Sequence, residues 1–136
     1  EQWSPDIAAH WSNRLATELD VKILALSDTI GVSNPENISS LFSTLIPEFP
    51  KVEFGAHLHS IPETRMEKIE AAYSSGCKRF DGAIKGHGGC PMAADDLVGN
   101  MATEDLLDFA SQHNIQLGLD LDALASATAI SNEVFL

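Results

Sequence analysis

The spacing of hydrophobic residues along the chain alternates between an extended and a helical pattern. Three short apolar runs of strand length lie at 22–26, 52–59 and 79–83. Stretches with apolar residues three and four positions apart, typical of amphipathic helices, flank and separate these runs. We predict five helices, which begin near Pro5, Pro35, Pro62, Thr103 and Leu121. Short strands separated by amphipathic helices indicate an α/β fold with a parallel sheet, because parallel neighbours need crossover connections.

Residues with strong positional preferences mark the ends of these helices. Ser4 and Asn34 each precede a proline, an order typical of an N-cap followed by the first helical residue. Gly76 is placed to end the third helix. Thr103 is predicted to cap the fourth helix, where Glu104 in the first turn complements the helix dipole.

Composition is that of a single globular domain and excludes two classes of partner. The 136 residues are 44% hydrophobic and 21% charged, so we expect one domain over residues 1–136. The net charge of −12 argues against nucleic acid, whose phosphates are bound largely by Lys and Arg. No apolar run approaches the ~20 residues needed to span a bilayer, so no membrane span is expected.

The N-terminal sequence and the cysteine count bear on the compartment. The first residues lack the basic segment and apolar core of a signal peptide, and two cysteines do not indicate a disulfide framework. A reduced, cytoplasmic compartment fits this pattern best. A mitochondrial or other organelle, and export followed by removal of a signal, stay open.

Two histidines end the second predicted strand. His57 and His59 are two residues apart, so in a strand their side chains lie on one face, where they can share a metal ion. Imidazole is a good ligand for several divalent metals, although a lone pair of this kind is as often structural or incidental. Asn100 is a candidate carbonyl ligand; by itself it is more often a residue at the entry to a helix.

A thiol and a carboxylate are the other candidate reactive groups. Cys90 follows two glycines in a loop, and glycine lets a backbone approach a ligand closely. Cys90 could instead be a small buried hydrophobe, but no periodic apolar pattern surrounds it, whereas Cys77 is assigned to packing. Asp28 is either a cap for the turn after the first strand or an active-site carboxylate.

These groups share one position in the predicted fold. Asp28, the histidine pair and Cys90 fall at or just after the C-terminal ends of three successive strands. In parallel α/β folds, and above all in the (β/α)8 barrel, active sites are built at that edge. The sequence therefore predicts a functional site there. The remaining histidines, expected at the surface or in loops, are His10, His87 and His113.

Four segments of the chain form an ordered set of motifs: 28–32 (Asp-Thr-Ile-Gly-Val), 57–59 (His-Leu-His), 86–91 (Gly-His-Gly-Gly-Cys-Pro) and 99–105 (Gly-Asn-Met-Ala-Thr-Glu-Asp). In this order they resemble motifs of hydroxymethylglutaryl-CoA lyase, a member of a superfamily of metal-dependent (β/α)8-barrel lyases and synthases. The Gly-Gly-Cys-Pro loop is the most specific, because the related synthases and ketoacid aldolases lack that cysteine. The resemblance covers most of the chain and implies the C-terminal portion of a TIM barrel, about three βα units plus trailing helices.

The resemblance implies a reaction and a set of roles. The reaction is cleavage of an acyl-CoA substrate, 3-hydroxy-3-methylglutaryl-CoA, to acetyl-CoA and acetoacetate, as in leucine degradation and ketone-body formation. A divalent metal, Mg²⁺ or Mn²⁺, would be held by His57, His59 and Asn100. Cys90, His57 and Asp28 would have catalytic roles, with Cys90 on a mobile loop that takes part in proton transfer.

The chain departs from the family pattern in three ways. Ser60 stands where the family commonly has Asp, and the interval from Cys90 to Asn100 is one residue longer than expected. The N-terminal half of the barrel, with an Arg-Asp pair that supplies a metal ligand and a cation, has no counterpart. We therefore expect this chain to be inactive alone, to require that half as a partner, and to self-associate as a homo-oligomer or aggregate through exposed sheet edges.

Two other functions are compatible with the residues. One is a different lyase or Claisen-type synthase of the same superfamily, against which Cys90 argues. The other is a non-catalytic domain that binds a metal or a partner chain. Metal affinity without turnover would favour the second.

Overall fold

The structure, a computed structural model, describes residues 3–89 and 98–135. Five α-helices and five strands lie in these ranges. The helices are α1 (Pro5–Glu18), α2 (Pro35–Glu48), α3 (Arg65–Ser74), α4 (Thr103–Gln112) and α5 (Leu121–Val134). The strands are β1 (Ile23–Ser27), β2 (Glu53–His57), β3 (His59–Ser60), β4 (Arg79–Phe80) and β5 (Gly99–Asn100).

The predicted parallel sheet is present. Its three strands lie in the order β1-β2-β4, with both pairs parallel. Ser27 at the end of β1 is in register with His57 at the end of β2, so the chain leaves both strands at one edge. The helices between the strands make the crossover connections that a parallel sheet requires.

Two predicted strands are shorter than expected, because residues near the end of each make hydrogen bonds outside the parallel sheet. The run 52–59 breaks at Leu58, since the His59 amide donates to the Asp28 carboxylate and His59 pairs antiparallel with Asn100 in β5. Beyond Phe80 the chain turns toward the segment before α4, where the Ala83 amide donates to the Met101 carbonyl.

The helix-end predictions were right at three of four positions. Ser4 accepts a hydrogen bond from the Ile7 amide, and Asn34 and Asn37 cap each other. At α5, for which no cap was predicted, the Asp120 carboxylate accepts from the amides of Asp122 and Ala123. Gly76 follows the end of α3 with φ +100°, a conformation that glycine adopts at little cost. The prediction for Thr103 was wrong: Ala102 is the N-cap and makes no side-chain cap, while Thr103 is the first helical residue.

The core lies between the sheet and the helices on one of its faces. Leu24 and Leu26 of β1 pack toward these helices, while the alternate residues of β1 are exposed. The buried side chains include Ile38, Phe42, Leu45, Phe54, Ile69, Cys77, Met101 and Phe109. Burial raises the pKa of the Cys77 thiol to about 11, so Cys77 is a neutral packing group at physiological pH, as predicted. In the described ranges no helix is both long and apolar enough to cross a membrane.

Candidate active site

The C-terminal edge of the sheet brings a carboxylate from each outer strand to a histidine. Asp28 directly follows β1, His57 ends β2, and Asp81 directly follows β4. His57 Nδ1 lies 3.3 Å from Asp81 Oδ2, and His59 Nδ1 lies 3.2 Å from Asp28 Oδ1. Sequence reasoning missed Asp81, although its position just after the third strand matches that of Asp28 after the first.

The three predicted metal ligands are neighbours. The rings of His57 and His59 have centroids 5.3 Å apart, and His59 lies directly opposite Asn100 in the β3–β5 pair. Opposed residues of an antiparallel pair place their side chains on the same face. The Asn100 amide nitrogen donates to the His87 carbonyl at 2.9 Å, so its amide oxygen is the atom left to accept or to coordinate.

The carboxylates determine which imidazole nitrogens can bind a further ligand. Because a carboxylate only accepts hydrogen bonds, the nitrogen beside it carries the hydrogen in both rings, and Nε2 of His57 and of His59 is left for another partner. Carboxylate-backed imidazoles are usual among metal-binding histidines. Two imidazole nitrogens and an amide oxygen therefore fit a divalent ion that completes its coordination with water or substrate. In residues 3–89 and 98–135 there is no group of three or more His, Cys, Asp or Glu arranged to hold a metal.

Asp28 is engaged on both of its oxygens. One accepts from the His59 amide at 2.7 Å, and the other accepts from Lys68 Nζ at 3.1 Å and from the Ser33 hydroxyl. Burial by itself would raise the pKa of Asp28, but the Ser33 and His59 hydrogen bonds and the Lys68 charge outweigh it and hold the pKa below its ordinary value. Asp28 thus bonds to Ser33 in the segment that follows β1 and also reaches His59, while its catalytic role stays a prediction.

Lys68 was not among the residues that sequence reasoning selected. Only 2% of this lysine is exposed, and its ammonium reaches Asp28 from helix α3. A lysine in an amphipathic helix is ordinarily solvated, so the local pattern contains no sign of its burial.

Glycines let the segment before residue 90 lie close to β5. A Cβ at Gly86 would be 2.7 Å from the Asn100 carbonyl oxygen, and a Cβ at Gly89 would be 2.6 Å from the Val98 carbonyl oxygen. Within the described residues these glycines bring the segment close to the strand that carries Asn100, and the predicted approach of the loop to a ligand stays a prediction. Cys90 lies outside the described residues, and its role stays a prediction.

We predict that Gly86→Ala destabilises the chain much more than Gly118→Ala. Both glycines have positive φ, +68° and +63°, so the backbone penalty is similar, about 1 kcal/mol. A methyl group at 118 meets nothing within 4 Å, whereas at 86 it collides with the Asn100 carbonyl, which adds roughly 1–3 kcal/mol. Urea unfolding of both variants measures the difference. Equal losses would mean that the close approach to Asn100 is relaxed in solution.

The chain has the parallel α/β architecture expected of one segment of a barrel, and its polar cluster lies at the carboxyl ends of the strands, where barrel enzymes have their sites. Comparison with known proteins identifies its family. The HMGL-like family profile matches residues 6–130. The (R)-citramalyl-CoA lyase of Chloroflexus aurantiacus is 34% identical over 83% of this chain and 35% of its own length. The crystal structure of the Bacillus subtilis HMG-CoA lyase superposes with a TM-score of 0.84 at 30% identity, over 98% of this chain and 44% of that one. An HMG-CoA lyase from Acinetobacter baumannii, solved with coenzyme A and 3-methylmalate, superposes with a TM-score of 0.74 at 30% identity, over 90% of this chain and 39% of that one.

The chain belongs to the HMGL-like family of carbon–carbon lyases. It spans about a third to a half of the length of these relatives and matches part of their TIM barrels. The expected relation to a metal-dependent barrel lyase is confirmed at the level of the family. The chain is similar both to a citramalyl-CoA lyase and to HMG-CoA lyases, so these similarities do not select a substrate.

Proposed function

We propose that this chain forms the metal-binding part of a lyase that cleaves 3-hydroxy-3-methylglutaryl-CoA to acetyl-CoA and acetoacetate. The observation that carries the proposal is the cluster of His57, His59 and Asn100 at the strand ends, with a carboxylate behind each imidazole. The family membership gives this cluster its chemical context. In this proposal the chain corresponds to the C-terminal portion of the barrel.

The two imidazole Nε2 atoms and the Asn100 amide oxygen would hold Mg²⁺ or Mn²⁺. A divalent ion bound there would polarise the hydroxyl and carboxyl oxygens of the substrate and lower the cost of forming an alkoxide. Asp81 and Asp28 keep the rings of His57 and His59 oriented by accepting hydrogen bonds from Nδ1 of each ring.

The reaction also needs proton transfers and a means of holding the acyl-CoA. A base takes the hydroxyl proton, the carbon–carbon bond breaks, and the thioester enolate is then protonated. By family resemblance we assign the last proton transfer to Cys90 and catalytic support to His57 and Asp28. A chain with net charge −12 is poorly suited to bind the coenzyme A phosphates, so we place the cations for them in the N-terminal half of the barrel.

Citramalyl-CoA is the second candidate substrate. The Chloroflexus relative that acts on it is 34% identical to this chain, and a Bacillus subtilis hydroxymethylglutaryl-CoA lyase is also 34% identical. Identity over this segment therefore does not separate the two substrates.

The test is a comparison of the two thioesters with the complete reading frame that contains this chain. Acetyl-CoA release is followed by chromatography with Mg²⁺ or Mn²⁺ present, and His113→Ala serves as a control that removes an imidazole remote from the strand ends. We expect kcat/KM to be at least about tenfold higher for 3-hydroxy-3-methylglutaryl-CoA, the size of discrimination that one carbon in a binding site can supply. The reverse ranking would establish the second candidate. Metal binding with no turnover of either thioester would indicate a non-catalytic domain.

A further inference from the structure

The ammonium of Lys68 has all of its hydrogen-bonding capacity used inside the protein. Its Nζ lies 3.1 Å from Asp28 Oδ2, 3.0 Å from the Gly31 carbonyl oxygen and 2.7 Å from the His59 carbonyl oxygen. An ammonium has three donors, and these three acceptors match them. The Lys68 side chain is 3% exposed and the Asp28 side chain 7%, so the pair is shielded from water.

Stability alone does not account for a lysine at this place. Burying an ammonium is costly, and replacing a buried ion pair with apolar side chains of similar volume is often neutral or stabilising. Lys68 lies beside Ile69, which is completely buried, so this part of α3 already faces the core. An apolar side chain at position 68 would leave the Asp28 carboxylate and two carbonyl oxygens without their donor, so the role of the charge is to organise these partners.

The partners of Lys68 hold His59 in two places. Lys68 donates directly to the carbonyl of His59. Lys68 also donates to the carboxylate of Asp28, which accepts from the His59 amide and lies beside Nδ1 of the His59 ring. The backbone and the ring of His59 are therefore both tied to one buried cation. No other lysine in residues 3–89 and 98–135 is buried.

We propose that Lys68 is a positioning residue for the candidate metal site, where it fixes the Asp28 carboxylate and the His59 backbone so that His59 presents Nε2 to a metal ion. The metal-directed part rests on the proposed function. The orientation of the His59 ring follows from the contacts of the protein alone.

The second imidazole provides an internal comparison. The side chain of Asp81, which backs His57, is 36% exposed, and its nearest cation is Arg79, with Nε 3.9 Å from the carboxylate. Among the residues that the structure describes, no buried cation holds Asp81 and His57 as Lys68 holds Asp28 and His59. Removing Lys68 should therefore change His59 and leave His57 nearly as it was.

The first experiment observes the histidine rings of the metal-free 136-residue chain by long-range ¹H–¹⁵N NMR at pH 8. In the wild type we expect His59 to be in the single form protonated at Nδ1. Lys68→Met should give a mixture of the two neutral forms at His59, with His57 unchanged. Lys78→Met removes an exposed lysine just before β4, and Ile69→Val loosens the core next to Lys68; both should leave the His59 form as in the wild type.

The second experiment measures Mn²⁺ affinity by titration calorimetry. Lys68→Met should weaken it by about tenfold or more, as loss of the groups that orient metal ligands commonly does. Ile69→Val should stay within about twofold of wild type even where its unfolding midpoint falls, which separates positioning from general destabilisation.

A double-mutant cycle with Asp28→Asn decides whether Lys68 acts through Asp28. Because Lys68 also contacts the His59 carbonyl directly, the loss of Mn²⁺ affinity in Lys68→Met/Asp28→Asn should exceed that in Asp28→Asn. It should stay below the sum of the two single losses, whereas independent sites would give additive losses. Lys68→Met/Asp28→Asn leaves neither charge buried, so it still provides a test if Lys68→Met alone fails to fold. In that case the protonation form of the His59 ring in the double variant should match the form found in Asp28→Asn. An unchanged His59 ring in Lys68→Met, or additive losses, would overturn the proposal. Absence of Mn²⁺ binding by the wild type would defeat the proposed function, while the ring spectra would still decide the positioning role.

Discussion

Alanine at both His57 and His59 is expected to reduce the Mn²⁺ affinity of this chain by at least about 100-fold. The two imidazoles supply two of the three protein donors of the candidate site, and loss of the groups behind metal ligands already costs about 10–100-fold. The wild-type affinity should itself be modest, since water must complete the coordination shell, which Mg²⁺ and Mn²⁺ tolerate. Calorimetry or the relaxation of water protons by Mn²⁺ measures both proteins.

The control for this variant removes the same number of imidazoles elsewhere. His10→Ala/His113→Ala takes away two exposed histidines remote from the strand ends and should bind Mn²⁺ as the wild type does. Asn100→Ala should give a smaller loss than the double histidine variant, because it removes one neutral oxygen donor. Equal Mn²⁺ affinity of the wild type and of His57→Ala/His59→Ala would show that these two histidines do not bind the metal.

Local periodicity was sufficient to predict the helices and the parallel sheet. Apolar spacing and helix-end residues are properties of neighbouring positions, so Pro5–Glu18 and Pro35–Glu48 could be recognised without knowledge of the fold. The two-residue spacing of His57 and His59 likewise predicted that their rings would be close.

Contacts between distant parts of the chain explain what was missed. The strand break at Leu58 arises because His59 pairs with Asn100, 41 positions later, and no local pattern encodes that pairing. The burial of Lys68 depends on acceptors at Asp28 and Gly31, which the fold brings to α3 from another βα unit. The site was therefore predictable as a set of strand-end side chains, while the hydrogen bonds that orient them required the tertiary structure.

The free edge of β1 leads to the last prediction, that the isolated 136-residue chain self-associates. Among the described residues β1 pairs with β2 alone, and Ile23 in β1 and Val32 in the segment after it are 48% and 69% exposed. A cavity of about 500 Å³ opens beside it, with Trp3 and Ile7 of the N-terminal segment among its lining residues. A closed barrel has no free strand edge, so in our proposal the rest of the barrel covers this surface.

Light scattering after size exclusion should show wild-type species larger than a monomer at micromolar concentration, because exposed apolar surface beside an unpaired strand favours pairing between chains. Ile23→Lys/Val32→Lys should shift the population toward monomer. The matched control Gln112→Lys/Ser126→Lys adds the same charge at exposed positions on α4 and α5 and should associate as the wild type does. Comparing the two double variants distinguishes an effect of apolar surface near the β1 edge from a general effect of making the net charge less negative than −12. A monodisperse wild-type monomer would contradict this prediction, because the chain would then stabilise the β1 edge without a partner.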